Sequence, residues 1–293
     1  MNKSKHLEIS SLALRDNYDR RPFLIDHNLS NHPLFKLERL IQLSKCLPQE
    51  HIRYNSGDVQ VKSGYDWINK PTLFKELPVQ DIMKNIEAGK SWLVLKYVEQ
   101  DPEYQALVND CLGEVASFTD PMDARMSHKE GFIFVTSPGM VTPFHFDPEK
   151  NFLLQIQGTK TIHLWDPLDR TVVAEHQLED FFSAHQFIER SDNIRYSSEL
   201  EAKSSVFEIH PGLGLFFPFL APHWVKNHNQ VSISFSITYQ SPIIRNHGHV
   251  YQVNKKLRGL GMDPTPPGSS PVKDFLKVST YKCFRTLKRM IRH

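Results

Sequence analysis

Cysteine is scarce. Cys46, Cys111 and Cys283 are the only three in 293 residues, and no two have zinc-finger or redox spacing. So sparse and odd a set excludes a disulfide scaffold and fits a reducing compartment. No run approaches the ~20 apolar residues of a membrane-spanning helix. The start, Met1-Asn-Lys-Ser-Lys, has no apolar h-region, so no signal peptide is expected. Neither sign of charge dominates: the net charge is +2, too small to imply nucleic-acid binding. Glycine is also thin, 13 residues against 19 prolines, which suggests many turns and few long helices. Aromatic residues make up 11%, with 19 Phe, enough for a globular core and too many for a disordered chain. The default reading is a soluble cytoplasmic protein without a transmembrane segment.

Residues 1–125 read as a mixed, largely helical region packing on a barrel. Leu34, Leu37, Leu40, Ile41 and Leu43 recur near helical spacing. Val79 to Ala88 is amphipathic and ends at Gly89. Tyr104 to Val115 is expected to be helical, and Ser91 to Val98 a strand. The texture changes across 126–245 to short strands. Phe132 to Thr136 is one. Phe152 to Gln157 and Thr161 to Trp165 read as a hairpin around Gly158-Thr159. Val206 to Ile209 and Leu215 to Phe217 follow. In Val231 to Tyr239 every odd position is apolar, while Ser232, Ser234, Ser236 and Thr238 fill the even ones. That period of two packs one face and presents small hydroxyls on the other, leaving room for a ligand inside a barrel. The fold expected is mainly β with flanking helices, a double-stranded β-helix of the jelly-roll or cupin type. Residues 246–293 hold a Pro-rich linker (262–271) and a basic amphipathic helix, Val272 to His293. That helix is expected to pack on the domain or to form a homodimer seam, with an anionic membrane or polyanion as a further reading.

The chemistry-bearing feature is His145-Phe-Asp147. With 15 His and 33 acids, about two His-x-acid triplets arise by chance. The chain has three. His6-Leu-Glu8 sits in a polar terminus and His128-Lys-Glu130 in a charged run, both read as solvated segments. His145 differs, lying between apolar strands after Thr142-Pro143. On an extended segment His145 and Asp147 project the same way and can reach one ion. His223, after the strand and turn Gly212 to Pro218, supplies a third ligand. Two imidazoles and a carboxylate on one face of a metal leave positions open for oxygen and a co-substrate, as in non-haem Fe(II) oxygenases.

Lys160, 13 residues after Asp147, is an exposed turn lysine if read alone. Placed inside a barrel it carries a charge that needs an anionic partner. A ligand carboxylate is a natural one, to which Thr142 can also donate. Asn151 can hydrogen-bond near the metal without adding charge.

Together these residues resemble the JmjC/cupin-8 family of Fe(II)- and 2-oxoglutarate-dependent oxygenases. They look most like its hydroxylase branch, which includes the asparaginyl hydroxylase of hypoxia-inducible factor. The string Thr-Pro-x-His-x-Asp, then Asn, then Gln-Ile-x-Gly-x-Lys is matched from Thr142 to Lys160. The distal Gly, Pro and His are matched from Gly212 to His223. The resemblance implies that His145, Asp147 and His223 bind iron, that Lys160 and Thr142 bind the distal carboxylate of 2-oxoglutarate, and that Asn151 sits by its chelating end. Two positions depart from the pattern. Ser236 stands where the branch often has Asn near the end of the last core strand. Val94 stands where some members place a Tyr, with Tyr97 out of phase.

The implied activity is O2-dependent hydroxylation of a peptide, protein or small-molecule substrate, with release of succinate. A non-oxidative metal cupin and an N-methyl demethylase with the same iron chemistry are the competing readings.

Overall fold

The computed structural model describes residues 5–57, 59–63, 79–123, 125–184 and 194–291. Twelve strands among them form two antiparallel sheets. The larger sheet has eight: β1 (Leu7–Glu8), β2 (Phe23–His27), β3 (Ile52–Ser56), β4 (Ser91–Lys96), β5 (Ser127–Thr136), β7 (Lys150–Gln157), β10 (Leu213–Phe217) and β12 (Ser232–Gln240). Their order is β1-β2-β10-β7-β12-β5-β4-β3. The smaller sheet runs β6-β11-β8-β9, with β6 (Val141–His145), β8 (Lys160–Leu164), β9 (Ser205–Ile209) and β11 (His223–Asn227). The two sheets make the expected double-stranded β-helix. The large sheet draws β1 to β4 from residues before 125, a region read from sequence as mostly helical.

Strand β12 sits at the centre of the large sheet and explains its packing. Ile233, Phe235, Ile237 and Tyr239 join the main core, which includes Leu14, Leu40, Leu43, Val108 and Leu112 from the helices Ser11–Asn17, Leu37–Cys46 and Pro102–Asp123. The opposite face carries Ser232, Ser234, Ser236 and Thr238, all buried. Small hydroxyls therefore face the barrel interior.

Two expectations fail for identifiable reasons. Strands β7 and β8 do not form a hairpin: β7 pairs with β10 and β12, and β8 with β11 and β9. The Gly158 turn instead carries the chain from one sheet to the other. Gly158 has φ +73°, and a Cβ there would lie 2.4 Å from the Val231 carbonyl oxygen, so only glycine fits. Buried Gln155 secures this corner by donating to the carbonyls of Gln157 and Gly158 and to the Ser232 hydroxyl.

The proline count also misled. Helices Pro102–Asp123, Pro242–Gly259 and Pro271–Ile291 span 22, 18 and 21 residues. Each begins with proline, where its fixed φ suits a helix start and its missing N–H costs nothing.

The C-terminal helix packs through buried Val278 and through Tyr281, which stacks on His249 of the preceding helix. Val272, Leu276, Leu287 and Met290 remain exposed. Arg292 and His293 lie outside the described residues. No described helix is long and apolar enough to cross a membrane.

Candidate metal centre

Strands β6 and β11 are antiparallel neighbours, and their register sets His145 directly opposite His223. The rings lie 4.2 Å apart between centroids. The pairing then slips: Thr142 faces Val225, so three residues of β6 answer two of β11. Residues three apart on a regular strand point to opposite faces. This bulge turns both Thr142 and His145 inward. Asp147 follows just after β6, where its carbonyl accepts from the Leu220 amide. That bond ties the turn before His223 to the turn after His145.

The donor atoms of His145, Asp147 and His223 lie within 4.8 Å of one another. The Nε2 atoms of His145 and His223 are each 3.9 Å from an Asp147 carboxylate oxygen. Both separations are less than twice a metal–ligand bond of about 2.1 Å, so one ion reaches all three. The Nδ1 atoms are already engaged: His145 with the Pro143 carbonyl at 2.7 Å and His223 with the Ala221 carbonyl at 3.0 Å. Each such bond places the ring proton on Nδ1 and turns the Nε2 lone pair inward, the usual support for a metal-bound imidazole. Burial, helped by nearby His145, holds His223 down to about 4, so it is neutral and ready to ligate at neutral pH.

Two cavities meet at this triad. The inner one, about 50 Å³, is lined by Thr142, Asn151, Lys160, Phe134, Leu153 and Phe217 beside the three ligands. Lys160 begins β8, pairs with Asn227 of β11 and is buried. Burial alone pushes its ammonium down to about 7, with no countercharge in contact among the described residues. The outer cavity, about 140 Å³, opens past His145 and Asp147 over β4, β5 and β12. Ser236 lines it and donates to Asn151 Oδ1 at 2.7 Å. That bond leaves the Asn151 amide hydrogens available to a ligand. All seven candidate residues thus surround one continuous site.

Several lining residues were not foreseen. Trp92 donates from Nε1 to Thr142 Oγ1 at 3.1 Å. Its place on the inward face, though not this contact, was accessible in principle, because Trp92, Val94 and Lys96 share one strand face. Tyr97 was expected out of phase, yet it lines the outer cavity. Its left-handed φ of 57° ends β4 and breaks the alternation that the expectation assumed. The His128-Lys-Glu130 run, read as solvated, opens β5, and Glu130 faces the outer cavity.

The profile of the cupin-like domain family matches residues 18–244. The chain belongs to that family. Among its relatives, lysine-specific demethylase 8 of Danio rerio is 29% identical over 102 residues, covering 34% of this chain and 24% of the relative. JmjC domain-containing protein D of Dictyostelium discoideum is 26% identical over 206 residues, covering 68% and 40%. The chain thus aligns to less than half the length of either. Among solved structures, Escherichia coli ycfD superposes with a TM-score of 0.52 at 15% identity, over 99% of this chain and 70% of that one. The same ribosomal oxygenase in complex with cobalt and 2-oxoglutarate gives 0.51 at 15%, over 96% and 67%. At that identity the likeness establishes a shared fold.

Proposed function

We propose that this cupin-like protein is an Fe(II)- and 2-oxoglutarate-dependent oxygenase, acting as a hydroxylase of a peptide side chain or small metabolite. One observation carries the reading. Lys160 is a buried lysine with no countercharge among the described residues, in the same small cavity as a His-Asp-His triad. A bare metal-binding cupin has no use for it, because an unpaired buried ammonium is costly. A dicarboxylate ligand removes that cost by pairing one end with Lys160 while the other end reaches the metal. The cobalt and 2-oxoglutarate complex of the ribosomal oxygenase supports the same assignment.

In this reading His145, Asp147 and His223 would hold the iron, which would supply the sites where the 2-oxo acid and O2 bind. Lys160 pairs with the distal carboxylate, and Thr142 donates its hydroxyl proton to it. Trp92 supports that donation: its N–H occupies a lone pair of Thr142 Oγ1, which leaves the hydroxyl proton for the ligand. Asn151, held by Ser236, turns its amide hydrogens toward the chelating end. Phe134, Leu153 and Phe217 keep the inner cavity dry, which strengthens each of these contacts. The substrate C–H bond becomes C–OH and gives up two electrons. 2-Oxoglutarate gives up two more as it becomes succinate and CO2. O2 takes all four.

A demethylase would use the same iron chemistry on an N-methyl group, and the relationship to lysine-specific demethylase 8 keeps that product class in the test. Purified protein with Fe(II), 2-oxoglutarate and O2 should release succinate, and His145→Ala or Asp147→Ala should abolish it. Mass spectrometry of candidate substrates then distinguishes a gain of oxygen from loss of methyl. Succinate release that survives either ligand substitution would defeat the proposal.

A further inference from the structure

The outer cavity is not explained by the co-substrate. Its floor is built from β4, β5 and β12. Lys96 lies opposite Phe132, Phe132 opposite Ser236, and Glu130 opposite Thr238. Cross-strand partners share a face, and Lys96, Glu130, Phe132, Ser236 and Thr238 all line the chamber. On β3, Arg53 lies opposite Val94 and extends the cationic edge. Glu149, after Asp147, adds to the acidic edge. Between the edges lie Phe132 and Tyr97, with ring centroids 5.4 Å apart.

Four of these groups, Thr238, Arg53, Lys96 and Glu130, are incompletely satisfied among the described residues. Among the described residues, Thr238 Oγ1 and Arg53 Nε are buried without a hydrogen-bond partner. Lys96 and Glu130 form no hydrogen bond or ion pair among the described residues. Burial pushes the Lys96 ammonium down to about 8, and neighbouring Arg53 lowers it further. Burial pushes the Glu130 carboxyl up to about 7, with Glu99 adding to the rise. Lys96 and Glu130 attract each other, and Asp147 attracts Lys96, yet burial still holds both groups shifted toward their neutral forms on one wall. That attraction offsets only part of their desolvation, and a ligand bringing both countercharges offsets more. A purely cationic substrate would be repelled by Lys96 and Arg53. A purely anionic one would be repelled by Glu130. The volume, about 140 Å³, is well below the roughly 300–1,000 Å³ of pockets for drug-sized ligands.

We propose that the outer chamber binds a small zwitterion, a free α-amino acid, as the primary substrate. Its carboxylate pairs with Lys96 at the edge that Arg53 extends, and its ammonium with Glu130 and the Thr238 hydroxyl. Its side chain runs along Phe132 and Phe134 toward His145 and Asp147. This rests on the oxygenase reading and names the substrate class for it.

The test supplies Fe(II)-loaded protein with 2-oxoglutarate, O2 and each of the twenty standard amino acids in turn. The same amino acids blocked at the amine or the carboxylate are run beside them. Products are read as a gain of one oxygen by mass spectrometry. At least one free amino acid should be hydroxylated, and its blocked forms should be poorer substrates by roughly tenfold or more, the value of one charged hydrogen bond. Glu130→Gln and Lys96→Met should raise the KM for that amino acid by a similar factor, with the larger change there and not in the KM for 2-oxoglutarate. Hydroxylation of blocked forms or peptides as readily as free amino acids would overturn the proposal. So would succinate release with no amino-acid product. Absence of any 2-oxoglutarate turnover would instead count against the oxygenase reading itself.

Discussion

Replacing Lys160 with methionine should make the ligand-free protein more stable. The side chain is buried, and burial alone takes its amine from 10.5 to about 7. Such a displacement corresponds to a charging penalty of about 4 kcal/mol near neutral pH, at about 1.4 kcal/mol for each tenfold change in the proton equilibrium. Methionine keeps most of the packing and removes the charge. Allowing for imperfect fit, the variant should gain about 2–3 kcal/mol, which is roughly 5 °C in Tm for a domain of this size. The pH dependence has a definite sign. From pH 7 to 10.5 the unfolded lysine binds a proton that the folded one has shed. Wild-type stability therefore rises across that window, while below pH 7 the penalty is present in full. Lys96, held down to about 8, contributes with the same sign, so the informative quantity is the difference between wild type and Lys160→Met. That difference should shrink as pH climbs from 7 toward 10. Differential scanning fluorimetry at several pH values measures it. Adding metal with succinate should then stabilise wild type by several degrees and Lys160→Met hardly at all. A variant that melts below wild type at pH 7, with no pH trend in the difference, would show that Lys160 is already neutralised and that burial carries no charging penalty there.

Trp92→Phe removes the donor to Thr142 Oγ1 and should raise the KM for 2-oxoglutarate about three- to tenfold, one neutral hydrogen bond, with kcat nearly constant in succinate-release assays. Lys150 is fully buried between Asp19 and Asp123, 2.5 Å from an oxygen of each, and donates to Tyr18 at 3.1 Å. Lys150→Met strands two carboxylates and should cost about 3–5 kcal/mol, read by urea denaturation. Gly158→Ala forces a Cβ against the Val231 carbonyl at the corner between sheets; a cost of about 1–3 kcal/mol is expected, with a lower Tm as the readout.

The metal triad was legible because it depends on local rules. Period two carries His145 and Asp147 to one side, and a strand start after Pro222 delivers His223. Lys160 was found through a mistaken geometry. The expected hairpin does not exist, yet the corner at Gly158 still leads β8 into the barrel wall, so the lysine reaches the interior. What stayed hidden depends on which strands meet. The Trp92 contact joins β4 of one sheet to β6 of the other, and no pattern along the chain encodes it. Thr142 and His145 share a face only through a bulge created by pairing with β11. Glu130 sits in a charged run that looks solvated until β12 and β4 flank it. The N-terminal strands were missed because Phe23–His27 and Ile52–Ser56 are short and join the sheet through contacts distant in sequence.

2-Oxoglutarate is expected to bind this chain at a metal held by His145, Asp147 and His223. Anaerobic addition of 2-oxoglutarate to the Fe(II) protein tests it most directly, followed by visible absorption. A new absorption band is expected that saturates with the co-substrate, disappears in His145→Ala and requires more 2-oxoglutarate in Lys160→Met. An unchanged spectrum in wild type at saturating co-substrate would contradict it and leave a non-oxidative metal cupin as the better description.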